Sequence, residues 1–329
     1  MSFSMRHRAS VSKHSSFTTR SQKGPFDFTH AFTREVPDSF SNALTMEPES
    51  GQSINIPRAK IEHKNYTTML QTLLPHMKEL PADNNCPDCC FVEDVLVAVP
   101  PFKVRASQLQ ENDSSALGPH HDFPGMAIIT RPGAPSRQPE VAPIREALLE
   151  VGWPRRLIHE IQAPATLDGG DVLFTGSELW VGLSHRTNQA AIDQLRTLLG
   201  PACPVHAFSM EACGKSTLHL KSVVSLLDET MLMCADNAAG RSIQAQAEAK
   251  PALAGRFTFV NVPDPICSNV LRIGRTVVMQ KGYPKSEEVI GPLCKAKGLS
   301  LNAVRMGECA KADGALTCCS VLLHVPKQK

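Results

Sequence analysis

Short apolar runs broken by turn residues along this chain give way to stretches of helical period, and the sequence of the two recurs. Asp171-Val-Leu-Phe-Thr175, a Gly176-Ser177 turn and Leu179-Trp-Val-Gly182 predict two short strands joined as a hairpin. A helix follows, opened by Thr187-Asn188, with Ile192, Leu195, Leu198 and Leu199 on one face and Gly200 as its stop. Ser222 to Leu227 and Met231 to Cys234 predict a second hairpin, followed by the Ala-rich stretch 241–250. Val270 to Ile273 and Thr276 to Gln280 predict a third, followed by a helix over 285–297. An earlier copy has strands at Phe91 to Val99 and Met126 to Thr130, then a helix near 140–151 with Val141, Ile144, Leu148 and Val151 in a stripe.

The three compact turns fall near 176, 228 and 275, so the unit recurs at about 50 residues, a period found in propellers and arrays. A last strand at Cys319 to Val325 has no partner downstream. The strand-like segment around His30 to Arg34, followed by a helix at 57–74, would complete a fifth unit if the chain ends paired. Such closure ties down both termini and leaves no open end. The pattern thus predicts an α/β fold of five pseudo-symmetric hairpin-helix units, with an ordinary α+β sandwich as the alternative.

Composition narrows the functional classes. A net charge of +2 and the lack of a basic patch interleaved with aromatics argue against nucleic acid as a partner. No run approaches about 18 apolar residues, so a membrane span is not expected. Eleven cysteines, an odd number, without a signal-peptide pattern read as thiols in a reducing compartment. Residues 1–28 stand apart, because Met1 to Phe26 are basic, Ser-rich and free of Asp and Glu. They read as a disordered tail, which gives a cytoplasmic location; a mitochondrial transit peptide is the alternative. The remaining 29–329 form one expected catalytic domain, with an insertion at about 100–125. His120-His121 in that insertion read as a solvated pair rather than as metal ligands.

Candidate chemistry gathers at equivalent places in the repeat. Glu93 and Asp94 sit in the first strand of their unit, Asp168 just before its strand, His219 before the strand at Ser222, and Cys318 before the strand at Cys319. Around a common axis all would meet at one mouth, bringing together a thiol, an imidazole and carboxylates, as a nucleophilic site requires. Each signal alone is ordinary. Asp168-Gly-Gly-Asp171 reads as a turn with one glycine at positive φ, and Cys318-Cys319 as inert burial. Adjacent Glu93 and Asp94 between Val92 and Val95 are the exception, because burying them calls for a cationic partner.

Seven segments in order carry a resemblance. They are Leu80-Pro-Ala-Asp83; Pro87-Asp88-Cys89 with Phe91-Val-Glu-Asp94; Ile129-Thr-Arg-Pro-Gly-Ala-Pro-Ser-Arg137; Ala165-Thr-Leu-Asp-Gly-Gly-Asp-Val-Leu-Phe-Thr-Gly176; Val181-Gly-Leu-Ser-His-Arg-Thr-Asn-Gln189; Leu218-His-Leu-Lys-Ser222; and Asp313-Gly-Ala-Leu-Thr-Cys-Cys-Ser320. The chain is similar to dimethylarginine dimethylaminohydrolases of the pentein, or guanidino-modifying, superfamily. The resemblance implies a five-bladed α/β propeller closed by its terminal strands. It implies a cofactor-free hydrolase that converts Nω-methylated arginines to citrulline and a methylamine, with a place in nitric oxide regulation.

By the same resemblance Cys318 is the nucleophile, His219 the acid and base, and Asp168 its orienting carboxylate. Asp94 and Glu93, with Asp88 nearby, match the grip on the guanidinium, and Arg137 and Arg186 the grip on the α-carboxylate. Asp313, Leu44 and Ser222 match lesser substrate contacts. No metal is implied beyond inhibitory zinc at Cys318, and the expected assembly is a monomer or weak homo-oligomer. His185, Cys90 and Ala312 depart from the family pattern. Another guanidino-modifying activity (arginine deiminase or amidinotransferase) and an inactive binding protein are the competing readings.

Overall fold

The computed structural model describes residues 24–45, 53–104, 122–213 and 217–325. Most of the basic tail, His120-His121, most of the 100–125 insertion and residues 214–216 lie outside them.

Among the described residues there are five three-stranded sheets of one design, plus a two-residue strand pair at the flanks of the insertion. In each, an antiparallel pair is followed by a helix and then by a third strand parallel to the middle one. Val172–Phe174 pairs with Leu179–Leu183, which takes Val205–Ser209 on its other side. The same order holds for Leu96–Val99, Met126–Ile129 and Ile158–Glu160. It holds again for Val224–Asp228, Met231–Ala235 and Thr258–Val262, and for Leu271–Ile273, Thr276–Gln280 and Ser300–Val304. The fifth sheet draws on both chain ends: Val321–Leu323 runs antiparallel to His30–Arg34, with His30 opposite Leu323, and His76–Leu80 completes it. The pairing of the two ends expected from the sequence is present.

The helices begin where the sequence supplies acceptors for orphan backbone N–H groups. Asn55, Asn188 and Asn237 each cap a helix, accepting from the N–H of Arg58, Ala191 and Gly240. The helix Gln189–Leu199 stops at Gly200, whose φ of 59° favours glycine. Its Ala191, Ile192, Leu195 and Leu199 are buried in one apolar cluster with the strand residues Leu179, Val181 and Val205. Trp180, fully buried, stacks on Phe208 at 4.6 Å and anchors the neighbouring cluster.

The third strands are the elements that periodicity does not reveal. Ser300–Val304 and Thr258–Val262 are edge strands with only Val304 and Val262 buried, so their mixed apolar and polar residues answer to no buried face and form no continuous apolar run. Sequence expectation also fails at the strand starts. Glu93 and Asp94 lie in a 3-10 turn, Val92–Val95, ahead of the strand at Leu96. Cys318 and Cys319 likewise share a turn, Thr317–Cys319, ahead of the strand at Val321. The alternation of faces that parts adjacent residues of a strand therefore does not apply to these two thiols.

Candidate active site

These turns build the site. The turns Thr317–Cys319, Val92–Val95, Gly169–Asp171, Leu220–Ser222 and Pro265–Ser268 touch one another in that order. Asn269, just after the last, hydrogen-bonds back to Thr317 of the first. Residues distant in sequence are thereby drawn onto one small region, and the polar side chains presented there are buried: Asp168, Asp94, His219, Arg137 and Asp88.

His219, immediately ahead of its turn, lies between two carboxylates. Its Nε2 is 3.0 Å from Asp168 Oδ2 and its Nδ1 is 3.8 Å from Asp94 Oδ1. A carboxylate only accepts, so Nε2 carries a proton and donates to Asp168. Asp168 also accepts from the Gly133 N–H at 2.8 Å, and Arg186 Nη1 lies 3.4 Å from its Oδ2. Asp94 accepts from the Gly170 N–H at 2.9 Å and from Arg137. Gly170 is there for close approach. A Cβ on it would fall 2.6 Å from His219 Nδ1 and 2.8 Å from Asp94 Oδ1. Neither Gly169 nor Gly170 has positive φ, so the ordinary-turn reading of Asp168-Gly-Gly-Asp171 fails.

The charges follow from the geometry. Burial disfavours a charged His219, but the Asp94 carboxylate and the bond to Asp168 outweigh it and raise the imidazole to about 9. Burial likewise pushes Asp94 up, yet His219 and Arg137 win and hold it at about 2. Cys318, also buried, is pushed well above the ordinary thiol range, by burial first and then by Glu93 and Asp94. The thiol is therefore protonated in the resting site.

A pH dependence follows. His219 binds its proton more tightly folded than unfolded, so its contribution to stability is full below about 6.5 and is lost as pH rises through about 9. Titration of the His219 imidazole by NMR should give a midpoint near 9. A midpoint at or below that of a free histidine would contradict the arrangement.

The other expected residues are placed as follows. Arg137 is turned inward: Nη1 donates to Asp94, Nε and Nη2 to Glu140, and Nη2 also to the carbonyls of Asp88 and Phe91. An incoming carboxylate would have to exchange for these partners. Glu93 is committed to other partners than His219. Its Oε1 accepts from Lys221 Nζ at 2.5 Å and its Oε2 from Thr317 Oγ1 at 2.8 Å. Asp88 accepts from the N–H of Leu44, an exposed residue, and the Ser222 carbonyl accepts from Ser268. Asp313 starts the segment leading to Cys318 with a left-handed φ of 56°.

Sequence reasoning missed Glu140, Lys221, Asn269 and Thr317 as parts of the site. Lys221 carried a signal, since Glu93 demanded a cation and Lys221 is two positions from His219. Glu140 and Asn269 carried none.

Asp94, Asp168 and His219 offer ligand atoms within 4.8 Å of one another, which by distance alone could hold a metal ion. Their carboxylates already accept from two backbone N–H groups and two arginines, so the set is matched to an imidazolium.

Comparison with known proteins bears on the class. No family model matches the chain. It is 31% identical over 283 residues to N(G),N(G)-dimethylarginine dimethylaminohydrolase of Streptomyces coelicolor, covering 83% of this chain and 92% of that one. It is 27% identical over 301 residues to the enzyme of the same name from Pseudomonas aeruginosa, covering 89% and 99%. A solved structure of the Pseudomonas aeruginosa enzyme, a cysteine-to-serine mutant complexed with citrulline, matches with a TM-score of 0.70 at 25% identity, over 91% of this chain and 100% of that one. These likenesses make the protein a pentein-superfamily enzyme, a hydrolase of guanidino groups. More narrowly, the chain belongs to the dimethylarginine dimethylaminohydrolase family.

Among the described residues no helix is long and apolar enough to cross a membrane.

Proposed function

We propose that the protein hydrolyses Nω-methylated L-arginines, asymmetric dimethylarginine and monomethylarginine, to L-citrulline and di- or monomethylamine through a covalent Cys318 intermediate. The observation that carries this reading is the buried imidazolium of His219 held between Asp168 and Asp94, with the Cys318 thiol in the field of Asp94 and Glu93. A guanidinium is a poor electrophile because its charge is spread over three nitrogens. A site rich in fixed carboxylates holds that cation and offsets its desolvation.

The same cation solves the problem of the thiol. Burial and two carboxylates keep Cys318 protonated before substrate binds, and a bound guanidinium cancels part of that negative field. Cys318 then loses its proton to solvent as its sulfur meets the electrophilic carbon. The thiolate adds to that carbon, and the C–N bond to the methylated nitrogen breaks as His219 protonates the leaving amine. Water, deprotonated by His219, adds to the resulting thiouronium. The S–C bond breaks and the proton of the added hydroxyl passes to the sulfur, which leaves citrulline and the thiol. Asp168 keeps the ring oriented through Nε2, so Nδ1 faces Asp94 and the reacting groups. Asp94 is assigned to the guanidinium, and Asp88 to its outer side. Arg186 is assigned to the α-carboxylate, with Arg137 joining if its bonds to Asp94 and Glu140 exchange. Asp313, Leu44 and Ser222 are assigned to the rim.

This reading takes the five sheets as blades of a propeller, with the touching turns around its axis, and takes 29–329 as one catalytic domain. Incubation with asymmetric dimethylarginine in ¹⁸O-water should yield dimethylamine and citrulline labelled in its ureido oxygen. Citrulline from arginine, with none from either methylated substrate, would sink the proposal in favour of a deiminase.

A further inference from the structure

We infer that Asn269 and Thr317 are positioning residues for the Cys318 thiol, joined with Glu93 and Lys221 in a closed ring of hydrogen bonds drawn from the segments that lead into four of the five sheets. The inference rests on the reading of Cys318 as nucleophile and adds what holds it in place.

Thr317 precedes Cys318, and its polar atoms are all engaged. Its N–H donates to Asn269 Oδ1 at 3.0 Å. Its Oγ1 accepts from Asn269 Nδ2 at 3.0 Å and donates to Glu93 Oε2 at 2.8 Å. Its carbonyl accepts from the Ser320 N–H at 3.2 Å, which closes the turn. Asn269 Nδ2 also donates to the Lys221 carbonyl at 2.9 Å, and Lys221 Nζ donates to Glu93 Oε1. The circuit runs Thr317, Glu93, Lys221, Asn269 and back to Thr317. Asn269 is 1% exposed and Thr317 7%.

Such a ring does two things that Cys318 cannot do for itself. A 3-10 turn of three residues has few hydrogen bonds of its own and is a poor support for a side chain that must attack in one direction. Fixing the preceding backbone N–H and side chain removes that freedom. The ring also ties the turn to the neighbours that carry Glu93 and Lys221, so the sulfur is registered against the carboxylates beside it. Asn269 is suited to this role because one amide supplies both a donor and an acceptor to the same threonine. Aspartate there would replace the donor with an acceptor facing a threonine hydroxyl already committed to Glu93.

The test compares kcat and KM of the full-length enzyme with those of Thr317→Val, Thr317→Ser, Asn269→Ala and Cys318→Ser, each with its melting temperature. Valine keeps the shape of threonine without its hydroxyl, and serine keeps the hydroxyl. Thr317→Val and Asn269→Ala are expected to lower kcat about 100-fold, the cost of a misplacement near 1 Å, with KM within about twofold. Thr317→Ser should restore kcat to within about threefold of the parent value. A purely structural role would lower the melting temperature without this split or this rescue.

Unchanged kcat in Thr317→Val and Asn269→Ala, or a rise in KM with kcat held, overturns the inference. If Thr317→Val does not fold, Asn269→Ala decides by the same criteria. Turnover by Cys318→Ser would instead remove the nucleophile reading. An inactive Cys318→Ser beside a fully active Thr317→Val would leave that reading standing and reject only the positioning role.

Discussion

Replacement of Cys318 by serine is expected to lower turnover of methylated arginine by at least about 10⁴-fold while leaving the fold intact. Loss of the nucleophile from a residue set that acts as a unit has effects of that order. Serine fits the space of the thiol, and the hydrogen bonds that fix Glu93, Asp94 and Thr317 around it run to Lys221, Arg137, Gly170 and Asn269 rather than to the sulfur. A hydroxyl is far harder to ionise than a thiol, and here two carboxylates would oppose its ionisation further. Citrulline release by mass spectrometry, with a thermal melt beside it, measures both halves. Retained turnover would transfer the chemistry elsewhere, for example to activated water alone.

The second large effect concerns Arg137. Arg137→Met is expected to destabilise the protein by about 3–5 kcal/mol, because it leaves Asp94 and Glu140 buried without their cation. The guanidinium and both carboxylates are each nearly sealed from solvent, so water cannot replace the lost donors. Denaturant unfolding measures the loss. The outcome separates two roles for the residue. A residue whose task is only to meet a substrate carboxylate would raise KM and leave unfolding unchanged. The inward bonds of Arg137 predict that stability falls first. Activity falls with it, since Asp94 then loses one of the charges that hold it at about 2.

Legibility in the sequence follows what each signal physically measures. The hairpins show as short continuous apolar runs, as in Leu179–Leu183, which is buried on both faces, and the helices by the period of one buried face, as in Gln189–Leu199. The edge strands do not, since half-exposed positions such as those of Ser300–Val304 impose none. Equivalent placement in the repeat located Asp168, His219 and Cys318, and the family resemblance supplied an order between Cys318 and Cys319. The turns ahead of the strands pass for strand in the sequence because short apolar runs look alike in both. Glu93 and Asp94 need cations, as their apolar neighbours in sequence imply, and two different ones serve them, Lys221 and Arg137. Adjacent positions in a 3-10 turn point about 120° apart, and a strand reading could not foresee which neighbour each would find. Asn269 and Glu140 act only through contacts between segments far apart in sequence or through a buried arginine, which no local pattern encodes.

The pairing of His30–Arg34 with Val321–Leu323 has a consequence for the chain as a polymer. One of the five sheets exists only when the two ends of the described chain have met, so the last unit cannot form by local folding. The other four can assemble from neighbours in sequence, each short-ranged and low in loop entropy. The break between the two described ends thus falls inside a sheet that includes the strand just after Cys318. A chain lacking either of these strands would lose this sheet, beside its thiol, before it lost the other four.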